Sequence, residues 1–219
     1  MKKGGLKMKN LLYKEFRLVI HPLFYAVLLF GALLLIPEWV YFLALMYFFF
    51  IALPNIFSVG KAQNDIGFSV MLPVRRKDIV KARMLAIIIL EILQIIVAAV
   101  FALVNLAIYP KGNFLMDTNA TFIGCVFIMY AIFNVIFFPM FYKTAFKIGF
   151  PVIAATTAAI VFATAVELSV LFVPALRILD GTENLAAQLP VLLGGIIIFV
   201  LLNIAAYKSS VKSFQSIDL

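Results

Sequence analysis

Chemistry-bearing side chains are scarce in this chain. It holds one cysteine and one histidine in 219 residues. A lone cysteine has no partner in the chain, so an intrachain disulfide framework is excluded. Cys125, set in an apolar run, reads as a buried bystander thiol. His21 and Cys125 cannot form a metal site alone, and His21, beside Pro22 at the edge of an apolar segment, reads as structural. No His-Glu-x-x-His, no Gly-x-Ser-x-Gly and no acidic cluster for magnesium occurs. A phosphate-binding loop needs Gly-x-x-x-x-Gly-Lys-Ser/Thr, so that backbone amides can wrap phosphates. The only Gly-Lys pair, Gly60-Lys61, is followed by Ala62 and has no glycine five residues before it. The expectation is a chain that is not itself an enzyme and carries no catalytic residues, no metal and no cofactor. The N-terminus is basic, but no short apolar region ends in a small-residue cleavage site, so no signal peptide is expected.

Charge is also scarce, at 13% of residues, while 65% are hydrophobic. A soluble domain is about half apolar and about a quarter charged, so the composition points to an all-α integral membrane protein. The net charge of +8 does not suggest nucleic acid, because the cations sit in short runs between apolar segments. A membrane helix needs about 20 mostly apolar residues. Six segments qualify: Pro22 to Ile36 (short unless it starts nearer Leu18), Val40 to Val59, Met84 to Ile108, Ala120 to Tyr142, Gly149 to Val173 and Leu189 to Tyr207. Pro22, Pro37, Pro110, Pro151, Pro174 and Pro190 mark segment ends, and Pro54 and Pro139 are expected to kink the spans that hold them. With six spans, all of the 18 lysines and arginines except Lys111 and Arg177 fall on one side. Glu38, Asp117, Asp180 and Glu183 fall on the other. The positive-inside rule then places both termini in the cytoplasm of a multi-pass cell-membrane protein.

Two stretches on the basic side stand out. Residues 8–20, MKNLLYKEFRLVI, place Met8, Leu11, Leu12, Phe16, Val19 and Ile20 on one side of a helix. Lys7, Asn10, Lys14 and Arg17 lie on the other, as in an amphipathic helix in the membrane interface. Glu15 projects on the apolar side, either to pair with a neighbouring cation or to meet a partner. The loop from Gly60 to Arg83 starts polar and turns apolar (Ile66, Phe68, Val70, Met71, Leu72). It ends in MLPVRRKDIVKAR, with Arg75, Arg76, Lys77, Lys81 and Arg83 around Asp78. A helix start is expected at Pro73. The basic residues could simply hold anionic lipid, but apolar residues facing the cytoplasm invite a protein partner.

The amphipathic N-terminal helix, the six spans, the cytoplasmic ends and the loop ending in Leu72, Pro73, Arg76 (or Arg75), Ile79, Val80, Ala82 and Arg83 together resemble the permease subunits of bacterial ABC type-2 transporters. The likeness covers nearly the whole chain and points to the small six-span peptide or drug exporters. It implies one transmembrane permease domain, residues 1–219, with an interfacial helix over 1–21, in which Lys14, Glu15, Phe16 and Arg17 lie beside the ATPase. It also implies a coupling loop over 60–83 and an outer, re-entrant segment over 174–188. Phe68, Met71, Leu72, Pro73, Arg75, Arg76, Lys77 and Asp78 would dock on a separate P-loop ATPase subunit, with Lys143 and Lys147 making a second contact. ATP and magnesium would be bound by that partner. A second permease subunit, identical or paralogous, would complete the path.

Within the spans, Glu91 and Gln94 share a face of the third segment, and Glu167 lies in the outer half of the fifth. A charge in hydrocarbon costs roughly 2.5 to 3.5 kcal/mol on insertion scales, so each should face protein or water. They read as inter-helix hydrogen bonds or vestibule lining, or else as the proton or substrate site of a secondary carrier. Ala155, Ala159 and Ala163 repeat at close-packing spacing, for packing within the subunit or, following the resemblance, for a dimer interface. Phenylalanines such as Phe48 to Phe50, Phe137 and Phe138 suit a hydrophobic or amphipathic cargo, for example a toxin or antimicrobial peptide, though most should face lipid and core. A non-transporting immunity or scaffold protein is the remaining alternative.

Overall fold

The computed structural model describes residues 8–20, 24–109, 113–181 and 183–217, and every regular element among them is helical. Residues 1–7, 21–23, 110–112, 182 and 218–219, among them His21, Pro22, Pro110 and Lys111, lie outside the described residues. In chain order the helices are α1 (Met8–Lys14), α2 (Phe24–Leu28), α3 (Tyr41–Tyr47), α4 (Leu53–Ala62), α5 (Asp65–Met71), α6 (Arg76–Ile108), α7 (Ala120–Lys143), α8 (Gly149–Phe172) and α9 (Leu185–Gln215).

Among the described residues, five helices are long and apolar enough to cross a membrane: Tyr41–Ala62, which joins α3 to α4, and then α6, α7, α8 and α9. The first of the six expected spans is not such a helix. After α2 the chain winds into a 3-10 helix, Leu29–Leu35, which rises about 2 Å per residue where an α-helix rises about 1.5 Å. Stretching in this way gives α2 and its extension a rise of roughly 21 Å, short of the ~30 Å hydrocarbon layer. The segment is held in place by close packing. A side chain at Gly31 would meet the Ala98 backbone of α6 at 3.3 Å.

Proline acts much as expected, with two differences. The turn before Pro54 is π-helical (Phe48–Ala52), and the wider turn absorbs the ring that an α-helix would reject. Pro190, expected at a helix end, lies inside α9, which starts earlier, at Leu185. The helix expected from Pro73 begins instead at Arg76, because residues that precede a helix in extended geometry, as Arg75 does, serve as its cap.

The bundle is built around α7. In its most apolar stretch 67% of residues are buried, against 28% for α8 and 22% for α9, so α7 is central and its neighbours present broad apolar faces outward. Its aromatic side chains pack on the preceding span, with Phe133 stacked on Phe49 of the π-helical turn at 4.0 Å between ring centres and Phe141 edge-on to Phe57 of α4 at 4.7 Å. Phe48, Phe49, Phe137 and Phe138 are fully buried here. They are core residues, whereas Phe50 is exposed. Ala155, Ala159 and Ala163 are buried as well, so this small-residue stripe is an internal seam of the subunit. The outward face of α8 carries Ile153, Ile160, Val161 and Leu168 instead.

A very close helix approach joins α7 to α9. A Cβ added to Gly195 would lie 2.2 Å from the Gly124 carbonyl oxygen, and one added to Gly124 would lie 2.7 Å from that of Val191. In lipid, where neighbouring tails are as apolar as leucine, such contact supplies the packing that drives helix association. Gly195→Ala is expected to cost about 1–3 kcal/mol through overpacking. Gly194→Ala, with nothing within 4 Å, should be neutral or slightly stabilising. Thermal unfolding of the two variants in mild detergent checks the contrast.

Candidate functional site: a buried ion cluster behind an apolar helix

The expected loop from Gly60 to Arg83 is mostly helix. It comprises the end of α4, a turn through Asn64 in left-handed geometry (φ 49°), α5, a short link and the first turns of α6. Helix α5 is inverted relative to a surface helix. Its polar residues Asp65 and Ser69, one turn apart, are buried, while Phe68 and Met71 are 59% and 83% exposed. Ile66 and Val70, between them, pack on the core.

Asp65 and Ser69 point into a cluster of buried charge. Arg83 of α6 is 3% exposed and pairs with the carboxylates of both Glu15 and Asp65. Lys14 Nζ lies 2.7 Å from Asp65 Oδ1, 3.0 Å from Glu15 Oε1 and 3.0 Å from Ser69 Oγ. The Arg83 guanidinium also stacks 5.5 Å from the centre of the Phe57 ring. Two cations thus meet two anions, so the cluster is balanced. Of the two roles open to Glu15, the structure shows the pairing with neighbouring cations. The residues come from three elements (the α1 segment, α5 and α6), so the cluster ties the N-terminal helix to the apolar one and both to a long span. Sequence reading singled out Lys14 and Glu15 but missed Asp65, Ser69 and the burial of Arg83. The only available signal was two acids in otherwise basic stretches.

The basic residues of the loop divide by role. Arg76 donates to the Phe214 and Ile217 carbonyl oxygens at 3.2 and 2.8 Å and stacks over the Phe214 ring. It pins α6 to the end of α9 and is engaged inside the subunit. Arg75 pairs with Asp78 at 2.8 Å on the surface, and Lys77 is exposed. Asp78, in the first turn of α6, also suits the helix dipole. Leu72 is half-buried and Pro73 exposed. The α7–α8 turn lies alongside. Lys143 and Lys147 are exposed, and Ala145 and Phe146 both take positive φ (51° and 67°) to reverse the chain. Phe146 from this turn and Asn64, Gly67 and Arg83 from the other side line one cavity of about 170 Å³, so the two expected contact regions are adjacent. On the N-terminal segment, Arg17 is exposed and Phe16 half-buried.

Some polar groups inside the spans are paired between helices, whereas the Gln94 amide, expected to pair in the same way, finds no hydrogen-bond partner among the described residues. Asn134 of α7 donates to Glu91 Oε2 at 2.8 Å and to Asn203 Oδ1 at 3.0 Å, linking α6, α7 and α9. Gln94 is buried on the same side of α6 as Glu91. Glu167 accepts from the Met116 backbone N–H at 2.9 Å and, with Arg177 and Asp180, lines a cavity of about 280 Å³. Sequence reading also missed Asn105, which donates to the Leu34 carbonyl at 2.7 Å and to Tyr41 at 3.1 Å. It closes the end of the 3-10 segment. In the nearby loop, Asn119 caps α7 and holds the Leu179 and Gly181 carbonyls, which anchors the 3-10 turn Pro174–Leu179. Burial raises the Asp117 carboxyl above its ordinary value.

These features define a polytopic helical membrane protein with a charge-clustered polar end. The family model described as "ABC-2 family transporter protein" matches residues 10–215, and the chain belongs to that family, whose members are membrane subunits of transporters and work with an ATP-binding subunit. No curated protein and no solved structure matches the chain.

Breaking a buried ion pair by removing one partner costs about 3–5 kcal/mol because the other charge is stranded. Asp65→Ala and Glu15→Ala are expected to lose that much, whereas Asp78→Ala, at an exposed pair, should lose under about 1 kcal/mol. Unfolding midpoints of the purified variants in detergent separate the two classes.

Proposed function

We propose that the chain is the permease subunit of an ABC exporter, that α2 and its 3-10 extension, packed on α6, complete a sixth crossing so that both termini are cytoplasmic in the cell membrane, and that α5 is its main dock for a separate P-loop ATPase. The observation that carries this reading is the inversion of α5. A helix that buries Asp65 and Ser69 while exposing Phe68 and Met71 gains nothing from water and much from a protein partner. Arg75 and Lys77 flank this surface, and Lys143 and Lys147 lie on the adjacent turn. ATP and magnesium bind to the partner. Closing of the ATPase moves α5, and the ion cluster at Arg83 passes that motion directly into α6 and the N-terminal helix. A second permease subunit, identical or paralogous, completes a path for a hydrophobic or amphipathic cargo of the peptide-toxin or antimicrobial-peptide kind. The apolar outer faces of α6, α8 and α9 support a lipid-facing or partner-facing role for these helices.

The test is a mild-detergent pull-down from native membranes with mass spectrometry. A P-loop ATPase should copurify at near-equal abundance with the wild-type chain. Phe68→Glu combined with Met71→Glu should remove it, as should charge reversal at Arg75 and Lys77, while Glu91→Gln and Glu167→Gln leave it in place. An ATPase retained by both α5 and loop variants places the dock elsewhere.

A further inference from the structure

We propose that the groove between α6 and α9 binds an acyl chain of an anionic phospholipid from the cytoplasmic leaflet, with the headgroup held by Lys81. The proposal rests on the orientation given above but not on the ATPase dock. The groove has a volume of about 470 Å³ and is walled by Leu85, Ile88 and Ile92 of α6 and Val200 and Ile204 of α9, with Phe127 of α7 between. That volume lies in the range of small-ligand sites. Lys81 and Tyr207 stand at one end, two turns or fewer from the Arg76 pin that closes the two helices together.

Length selects a lipid. From Lys81 to Ile92 the helix rises roughly 16 Å, about half of the ~30 Å hydrocarbon layer, which is the depth of one leaflet. Charge selects an anionic one. Lys81 is exposed and makes no ion pair among the described residues, and Lys208, following Tyr207, is also exposed. The apolar groove therefore carries cations only at its polar end. A second copy of the chain matches this poorly. The described acids at this end, Glu15, Asp65 and Asp78, are all paired within the subunit and leave no carboxylate for Lys81.

The experiment reads lipid contact at the groove. In a Trp39→Phe background, one tryptophan is placed at the groove rim (Tyr207→Trp) or, as control, on the outer face of α8 (Ile153→Trp). Each protein is reconstituted in phosphatidylcholine vesicles containing brominated phosphatidylglycerol or brominated phosphatidylcholine, and quenching gives the relative affinity of the two lipids. The rim should favour phosphatidylglycerol about fivefold, the control should show no preference, and Lys81→Gln should abolish the preference at the rim. Equal preference at both positions, or a rim preference that survives Lys81→Gln, overturns the proposal. So does a rim tryptophan that no brominated lipid quenches, which would mean that a second copy covers the groove. ATPase copurification with Lys81→Gln is measured in parallel. Its loss would bear on the dock, while the quenching ratio bears on the lipid alone.

Discussion

A guanidinium that has lost its water must be given carboxylates in return, and the polar end of this protein is arranged around that requirement at Arg83. Neither Glu15 nor Asp65 alone fills the fork of its donors, and the second carboxylate brings a second cation, Lys14, to balance it. Because buried ions carry a desolvation penalty of several kcal/mol each, the cluster is stable only as a set. The N-terminal helix, α5 and the start of α6 are therefore constrained together. Gly60 reflects the crowding, since a side chain there would press within 3.3 Å of Arg83.

The same demand operates further into the bundle with neutral partners. Asn134 serves Glu91 and Asn203 together, and Asn105 serves the Leu34 carbonyl near the end of a helix too short to cross by itself. Hydrogen bonds of this kind link helices that otherwise associate by close packing, as at the Gly124–Gly195 contact. Central α7 takes part in both. Its aromatic side holds α3 and α4, and its small and polar residues hold α9.

Inversion of α5 follows from the cluster. Once Asp65 and Ser69, together with Ile66 and Val70, are committed inward, helical spacing turns Phe68 and Met71 outward. An exposed apolar pair beside basic residues is therefore the consequence of internal charge pairing. The division between Arg76, engaged by the α9 carbonyls, and the exposed Arg75 and Lys77 has the same origin, since which cation is free depends on which backbone end lies within reach.

Much was readable from the chain itself. Apolar runs and proline positions located α6, α7 and α8 closely, because hydrocarbon demands long uninterrupted helices and leaves few alternatives. The amphipathic N-terminal segment and the anomaly of Glu15 were visible in helical spacing. The short first segment was not, because an apolar run looks the same whether it winds as α or as 3-10 helix. The alanine stripe of α8 could not be assigned to an inner or an outer face, since small residues suit either. Composition and periodicity thus determined a helical membrane protein whose cations gather in short runs between apolar segments. Only the tertiary structure decided which charges are buried, which helix faces are covered and which apolar side chains are left outward, because pairing partners lie many tens of residues apart and meet only when the helices pack.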